Sequence, residues 1–304
     1  MNDLVDLQVN GYAGVDFNAA DLTHSAMREA CQRLRDDGVV RFFPTVITDD
    51  LDGMVGKIKR LSELAESDAF IEECVGGIHV EGPFLNRNRG FIGAHPAEHA
   101  FDASVDAAER LIDAGAGRVR LFTLAPEVDG AVRLIARLRD LGIIVAAGHT
   151  DASLADLDAA IDAGLQLFTH LGNGCPSEMH RHDNIVQRAL ARSQALFISM
   201  IADGHHVPWF AMQNYLQCIP KERVIIVSDA ISAAGLGPGS HRLGGQTVHV
   251  DENGAAWMAD RTQFAGCATT LRESAQMMLE QDLATEEDLR RWMTANPSRL
   301  LDAD

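Results

Sequence analysis

Eight short runs of β-branched and apolar residues, separated by helical patterns, set the first constraint on this 304-residue chain. They start near Val5 (VDLQV), Val39 (VVRFFPTV), Cys74 (CVGGIHVEG), Val119 (VRLFTLAPE), Ile143 (IIVAAGH), Leu167 (LFTH), Leu196 (LFISMIAD) and Val224 (VIIVSDA). Between the runs, Met27, Ala30, Cys31 and Leu34 share one face of a predicted helix over 23–38, which Gly38 caps. Leu51, Met54, Val55, Ile58 and Leu61 repeat that spacing, as do Val128, Val132, Ile135 and Leu138. A further helix is predicted from Asp151 to Gly164. Continuous apolar strands are needed where both faces of a parallel sheet are buried. Eight strand–helix repeats predict an α/β fold of the (β/α)8 TIM-barrel type. An open doubly wound sheet ranks second, because the GYAG turn after the first run is not a GxGxxG phosphate loop.

A soft prior of roughly 150 residues per domain suggests two domains. No linker, repeat or low-complexity tract divides the chain, so one barrel over 1–304 is the simpler expectation. The alternation breaks at 241–264. There Gly244-Gly245 and Glu252-Asn253-Gly254 are turn signals around TVHV and AAWMA, which predicts a β-hairpin excursion after the eighth strand. Helical patterns return over 269–280 and 285–294. No apolar stretch reaches about 18 residues, so no membrane span is expected. The first residues lack the basic and apolar regions of a signal peptide. With 44 acidic against 26 basic residues and a net charge of −18, nucleic acid and anionic membranes are poor partners. A small anionic ligand remains possible wherever the surface is locally basic. Five cysteines without a CxxC pair read as reduced thiols in a cytoplasmic protein.

Polar residues close the predicted strands. Gln8 and Asn10 end the first, His79 and Glu81 the third, His149 the fifth and His170 the sixth. Asp203, His205 and His206 follow the seventh, and Asp229 ends the eighth. A single histidine at a strand end is more often structural. Carboxylates and imidazoles closing several strands of one barrel converge on its C-terminal rim, where catalytic groups project. One carboxylate and two imidazoles suit a catalytic divalent cation, with Glu81, His149 and His170 as the candidate ligands. Zinc heads the candidates, and iron, cobalt or manganese would also be accepted. Such a cation acidifies its water, and Asp229 is the candidate base facing it. The alternative for Asp229 is a cap on the following turn.

In order along the chain, the blocks DLQVNGYAGVDFN (6–18), HVEGPFLN (79–86), GAH (93–95), AGHTDA (147–152), THLGN (169–173), IADGHHV (201–207), VSDA (227–230), FAGCATTL (264–271) and NPSRLL (296–301) span most of the sequence. Together they resemble the amidohydrolase superfamily and, within it, the N-acetylglucosamine-6-phosphate deacetylases. The resemblance implies hydrolysis of the N-acetyl group of N-acetylglucosamine 6-phosphate to glucosamine 6-phosphate and acetate. It implies metal ligation by Glu81, His149 and His170, and proton transfer by Asp229. His206 would contact the substrate and help polarise the acetyl carbonyl. His95, with Ala94 beside it, would contact the sugar. Asn173, Gly174 and Arg181 would bind the phosphate. Where many superfamily members carry an HxH metal pair, this chain has Gln8-Val9-Asn10. That argues for one metal ion, with Gln8 against its water. The resemblance also implies a homodimer, and a small β-sandwich that is here absent or reduced to the hairpin. The GNGCPSEMHRHDN stretch departs from the family pattern around Arg181. An unphosphorylated or different N-acyl amino sugar, or an N-acyl amino acid, therefore stays open as the substrate. So does a catalytically silent barrel that binds a sugar or a metal.

Overall fold

In a computed structural model of the chain, which describes residues 2–243, 246–258 and 264–302, the eight expected runs form one parallel sheet. Strand β1 (Leu4–Val9) leads into a small hairpin, β2 (Gly11–Tyr12) and β3 (Val15–Asp16). Then come β4 (Val39–Ile47), β5 (Ile78–Glu81), β6 (Val119–Leu124), β7 (Ile144–Ala147), β8 (Leu165–Phe168), β9 (Phe197–Ile201) and β10 (Val224–Val227). The sheet order is β1-β4-β5-β6-β7-β8-β9-β10. Each strand pairs with the next barrel strand in the chain, and the order never reverses. That excludes the doubly wound alternative and gives the (β/α)8 barrel.

Val5, Leu7, Phe43, Leu121, Ile144 and Leu167 belong to the interior cluster. Phe42, Val80, Phe122, Val145 and Ile198 belong to a second, larger cluster with the helices, through residues such as Met27, Ile58, Leu134 and Leu157. Two apolar faces per strand explain why the strands read as continuous rather than alternating runs. The run beginning at Cys74 starts later than its sequence suggests. Asp68 caps a helix Ala69–Cys74 by accepting from the Phe70 and Ile71 amides, and β5 begins only at Ile78.

Barrel closure is local and is made by backbone and side chains together. The sheet ends, β1 and β10, meet at one bridge between Val9 and Ala230. The Asn10 and Gly11 amides both donate to the Ala230 carbonyl, at 2.7 and 3.0 Å. Below them the Ser228 amide donates to Asp6 Oδ1 at 3.2 Å, and Ser228 Oγ donates to the Gln8 carbonyl at 3.4 Å. The Asp6 carboxylate thus takes the place of a missing strand carbonyl.

The excursion expected as a hairpin at 241–264 is a four-stranded antiparallel sheet of β11 (Gly239–Leu243), β12 (Gln246–Val250), β13 (Ala255–Met258) and β14 (Phe264–Cys267). TVHV and AAWM carry the recognisable strand signal. GSHRL and FAGC do not, and they pair because the two middle strands offer them open edges. The sheet is tied to the barrel by the Ile231 amide, which donates to the Cys267 carbonyl at 2.9 Å. No helix among the described residues is long and apolar enough to cross a membrane.

Burial pushes the Asp6 carboxyl up to about 7, against the hydrogen bonds from Ser228 and Gln8. Between its unfolded value of 3.8 and about 7, the folded chain holds a proton that the unfolded chain has released. Stability from this group is therefore present at low pH and lost as pH rises through that window. Asp6→Asn keeps an acceptor for Ser228 and removes the titration. In urea unfolding from pH 4 to 7.5, the stability of wild type relative to Asp6→Asn is expected to fall with rising pH. A pH-independent difference would refute the assignment.

Candidate metal centre and active site

Glu81, the last residue of β5, carries the centre. Its side chain is 3% exposed. His170 Nε2 lies 3.0 Å and His149 Nε2 3.3 Å from Glu81 Oε1. The Gln8 amide donates to the same oxygen at 3.1 Å. His149 Nδ1 is 2.8 Å from the Phe91 carbonyl, which only accepts, so the ring hydrogen sits on Nδ1. That leaves the Nε2 lone pair facing a carboxylate oxygen. Two acceptors so placed fit a cation between them, and an imidazole anchored through its other nitrogen is the usual form of a metal ligand. The donor set of Glu81, His149 and His170 therefore fits a divalent metal ion.

His95 lies farther off, with Nε2 3.8 Å from Glu81 Oε2. Its tautomer is the opposite. The Thr48 amide, whose hydrogen is fixed, donates to His95 Nδ1 at 3.2 Å, which puts the ring hydrogen on Nε2. His95 thus presents a donor to the site. Burial, then the neighbouring His149, pushes its imidazole down to about 3, so it stays neutral. For Glu81, burial alone would raise the carboxyl. In their protonated forms the facing His149 and His170 imidazoles outweigh it and hold the group well below the usual range.

The backbone delivers these groups by breaking strand geometry. His149, His170 and Asp229 have φ of +51°, +33° and +49°, in the left-handed region that non-glycine residues rarely adopt. Each stands just beyond its strand, where the reversed twist turns the side chain across the rim. Such strain persists where surrounding structure holds it, and it gathers at functional sites. The His170 amide donates to Ser199 Oγ, Ser199 Oγ to Thr169 Oγ1, and Thr169 Oγ1 to Gln8 Oε1, a chain that returns through Gln8 to Glu81. Two glycines flank His149. A Cβ on Gly93 would lie 3.0 Å from its Cε1, and one on Gly174 2.8 Å from its Nδ1.

Asp229 Oδ1 accepts from Asn10 Nδ2 at 2.7 Å. Burial, then the charge of Glu81, raises its carboxyl. His206 Nδ1 donates to Asp203 Oδ2 at 2.6 Å, while Asp203 Oδ1 accepts the His205 and His206 amides. Burial works against the Asp203 charge, but these bonds hold its carboxyl below the usual range. The small sheet covers this corner. Phe264 lies 5.2 Å from the His206 ring, and His205 Nε2 donates to the Asn253 carbonyl at 2.9 Å.

Gln8, Glu81, His95, His149 and His170 therefore converge, with Gln8 on the Glu81 carboxylate. Asp229 and His206 stand within electrostatic reach of one another. Gly174 packs on His149. The Asn173 amide and its side-chain nitrogen both donate to the His170 carbonyl. Ala94 and Arg181 are exposed, Arg181 on the loop that follows β8. Sequence reasoning gave no role to Asp203, which precedes His206 by three residues. Nor did it assign Thr48, Thr169 or Glu127. Glu127 accepts from Asn86 and Thr150 and so joins the loops after β5, β6 and β7.

No protein-family model matches the chain. The N-acetylglucosamine-6-phosphate deacetylase of Bos taurus is 32% identical over 98% of this chain and 73% of its own length. The chain belongs to the N-acetylglucosamine-6-phosphate deacetylase family. Within that family of metal-dependent amidohydrolases, it is also 30% identical to an N-acetylgalactosamine-6-phosphate deacetylase of Escherichia coli O157:H7, over 99% of this chain and 77% of the relative. Among solved structures, the Mycobacterium smegmatis deacetylase in complex with N-acetyl-D-glucosamine-6-phosphate superposes with a TM-score of 0.87 at 29% identity. That match covers 99% of this chain and 77% of the other. The deacetylase of Pasteurella multocida matches with a TM-score of 0.86 at 27% identity.

The packing of Gly174 on His149 can be tested in this deacetylase. Its φ of +61° already disfavours any side chain, and alanine would press on the ring. Gly174→Ala is expected to keep the far-ultraviolet circular dichroism of wild type and lose metal affinity by about 10- to 100-fold, the usual cost of disturbing a ligand's support. Competition with a chelator measures it, and unchanged affinity would refute the clamp.

Proposed function

We propose that the chain hydrolyses the N-acetyl group of N-acetylglucosamine 6-phosphate, giving glucosamine 6-phosphate and acetate, with one divalent ion held by Glu81, His149 and His170. The observation that carries this reading is the His149 Nε2 lone pair set against the buried Glu81 carboxylate. The relatives' activities support it. When bound, the ion supplies positive charge that polarises a carbonyl and acidifies water. Zinc suits the donor set, with iron, cobalt or manganese as alternatives.

The other roles belong to the chain's own residues. Asp229 accepts the proton of the attacking water and passes it to the leaving nitrogen. Asn10 holds Oδ1, so Oδ2 is the oxygen left to carry that proton. Asp203 fixes His206 through Nδ1, and the hydrogen that the imidazolium carries on Nε2 is the one to donate to the acetyl carbonyl. His95, with its hydrogen on Nε2, donates to a sugar hydroxyl. Gln8 orients Glu81. For the phosphate, the donors of Asn173 are already engaged, so the reading rests on Arg181 with His180 and His182 beside it, and on Gly174. Asp183 does not oppose this, because Arg188 pairs with it at 2.7 Å. A homodimer is proposed from the resemblance, and Phe210, 73% exposed, is an apolar residue open to such contact. A cytoplasmic location accords with the free cysteines.

The N-acetylgalactosamine-6-phosphate relative supports a second reading, in which the sugar is the galacto epimer. A panel of both N-acetyl sugars, each with and without 6-phosphate, separates these readings. Arg181→Ala is expected to raise KM for the phosphorylated sugar and leave the free sugar unaffected. Equal effects on both would remove Arg181 from phosphate binding. Asp229→Asn is expected to lower kcat by about 10²- to 10⁴-fold, the range of a lost general base. Its metal content should match wild type, and near-normal turnover would show that another group is the base.

A further inference from the structure

Among the described residues, a second set of side chains brings metal-ligating atoms within 4.8 Å of one another: Asp203, His206 and Cys267. Asp203 is 4% and Cys267 2% exposed. Asp203 Oδ2 lies 2.6 Å from His206 Nδ1, and the Cys267 thiol donates to the Thr269 carbonyl at 3.6 Å. The set is preorganised. Asp203 Oδ1 is pinned by two backbone amides at 2.9 Å, and Cys267 is fixed by the bond from the Ile231 amide to its carbonyl. Carboxylate, imidazole and thiol together are a donor set for a borderline or soft cation, a different preference from the oxygen-and-imidazole set at Glu81.

We propose that Asp203, His206 and Cys267 form a second, thiolate-containing site for a zinc-like divalent cation, and that filling it inhibits the enzyme by drawing the His206 ring off the position in which Asp203 holds it. On binding, the Cys267 S–H bond breaks and its proton goes to solvent, and the sulfur lone pair forms the new bond to the cation. The His206 Nδ1–H bond breaks and its proton goes to solvent, Nε2 carries the ring hydrogen, and Nδ1 becomes a ligand. No electron is transferred. The bond between Asp203 and His206 that orients the ring is replaced by two bonds to the cation. Burial keeps the free thiol protonated, so the site is not a standing thiolate and forms only when the cation displaces the proton.

Cobalt(II) is the probe, because a thiolate ligand gives it a sulfur-to-metal charge-transfer absorption in the near ultraviolet. The protein holding one equivalent is titrated with more. A second equivalent is expected to bind with the rise of that absorption, and activity is expected to be lost in parallel. Cys267→Ser is expected to keep the first equivalent and its activity, to lack the absorption, and to resist excess cobalt. Cys267→Ala serves if the serine variant does not fold. Absence of the absorption in wild type, or its survival in either folded variant, overturns the site. Absorption without loss of activity overturns the inhibition. The inhibitory half rests on the role proposed for His206, whereas the absorption does not, so the two failures are distinguishable.

Discussion

The buried carboxylate of Glu81 is the constraint to which the rest of the structure answers. An ionised group almost removed from water costs several kcal/mol unless it is paired and hydrogen-bonded. Glu81 meets that requirement with the His170 imidazole and the Gln8 amide on one oxygen, while His149 and His95 close round it. Two features decide what the arrangement can do. His149 turns a lone pair toward the carboxylate, because its hydrogen is committed to the Phe91 carbonyl. His95 turns a hydrogen toward it, because the Thr48 amide occupies its other nitrogen. The same residue type therefore plays opposite parts within one cluster, and backbone groups outside the cluster make the assignment.

The barrel and the small sheet divide the work. The barrel rim supplies the groups of the centre, and the interior beneath combines apolar packing with buried polar residues such as Asp6 and His79. The sheet of β11 to β14 contributes packing and an anchor. It sets Phe264 against His206 and anchors His205 through Asn253. His206 is thus held from two sides, by Asp203 on its own loop and by an aromatic ring from an element far along the chain.

The barrel was readable in the sequence because eight apolar runs fall at regular spacing, and both faces of each run are apolar. Glu81, His149, His170 and Asp229 were readable because each stands immediately beyond such a run. What stayed hidden depends on coordinates that a spacing does not carry. The hold of Gln8 on Glu81 was one such feature, since it depends on which way an amide swings across the barrel. The left-handed backbone at His149, His170 and Asp229 has no signature in those residue types. The outer strands of the small sheet, GSHRL and FAGC, carry little strand preference and are recruited by their neighbours. Asp203 was visible as a strand-end acid, but its bond to His206 could have been suspected only from their separation of three residues.

The seam between β1 and β10 has a consequence for the order of assembly. Every other strand pair in the barrel joins neighbours along the chain and can form as the chain lengthens. The seam joins Asp6 to Ser228 and Asn10 to Ala230, partners separated by most of the sequence. Until those late residues exist, the growing sheet carries an unclosed edge and a carboxylate without its donors. The active site spans the same gap, because Asn10 on one side holds Asp229 on the other. An unfinished or partly opened barrel would therefore keep most of its core together with Glu81, His149 and His170, yet it would not hold Asp229.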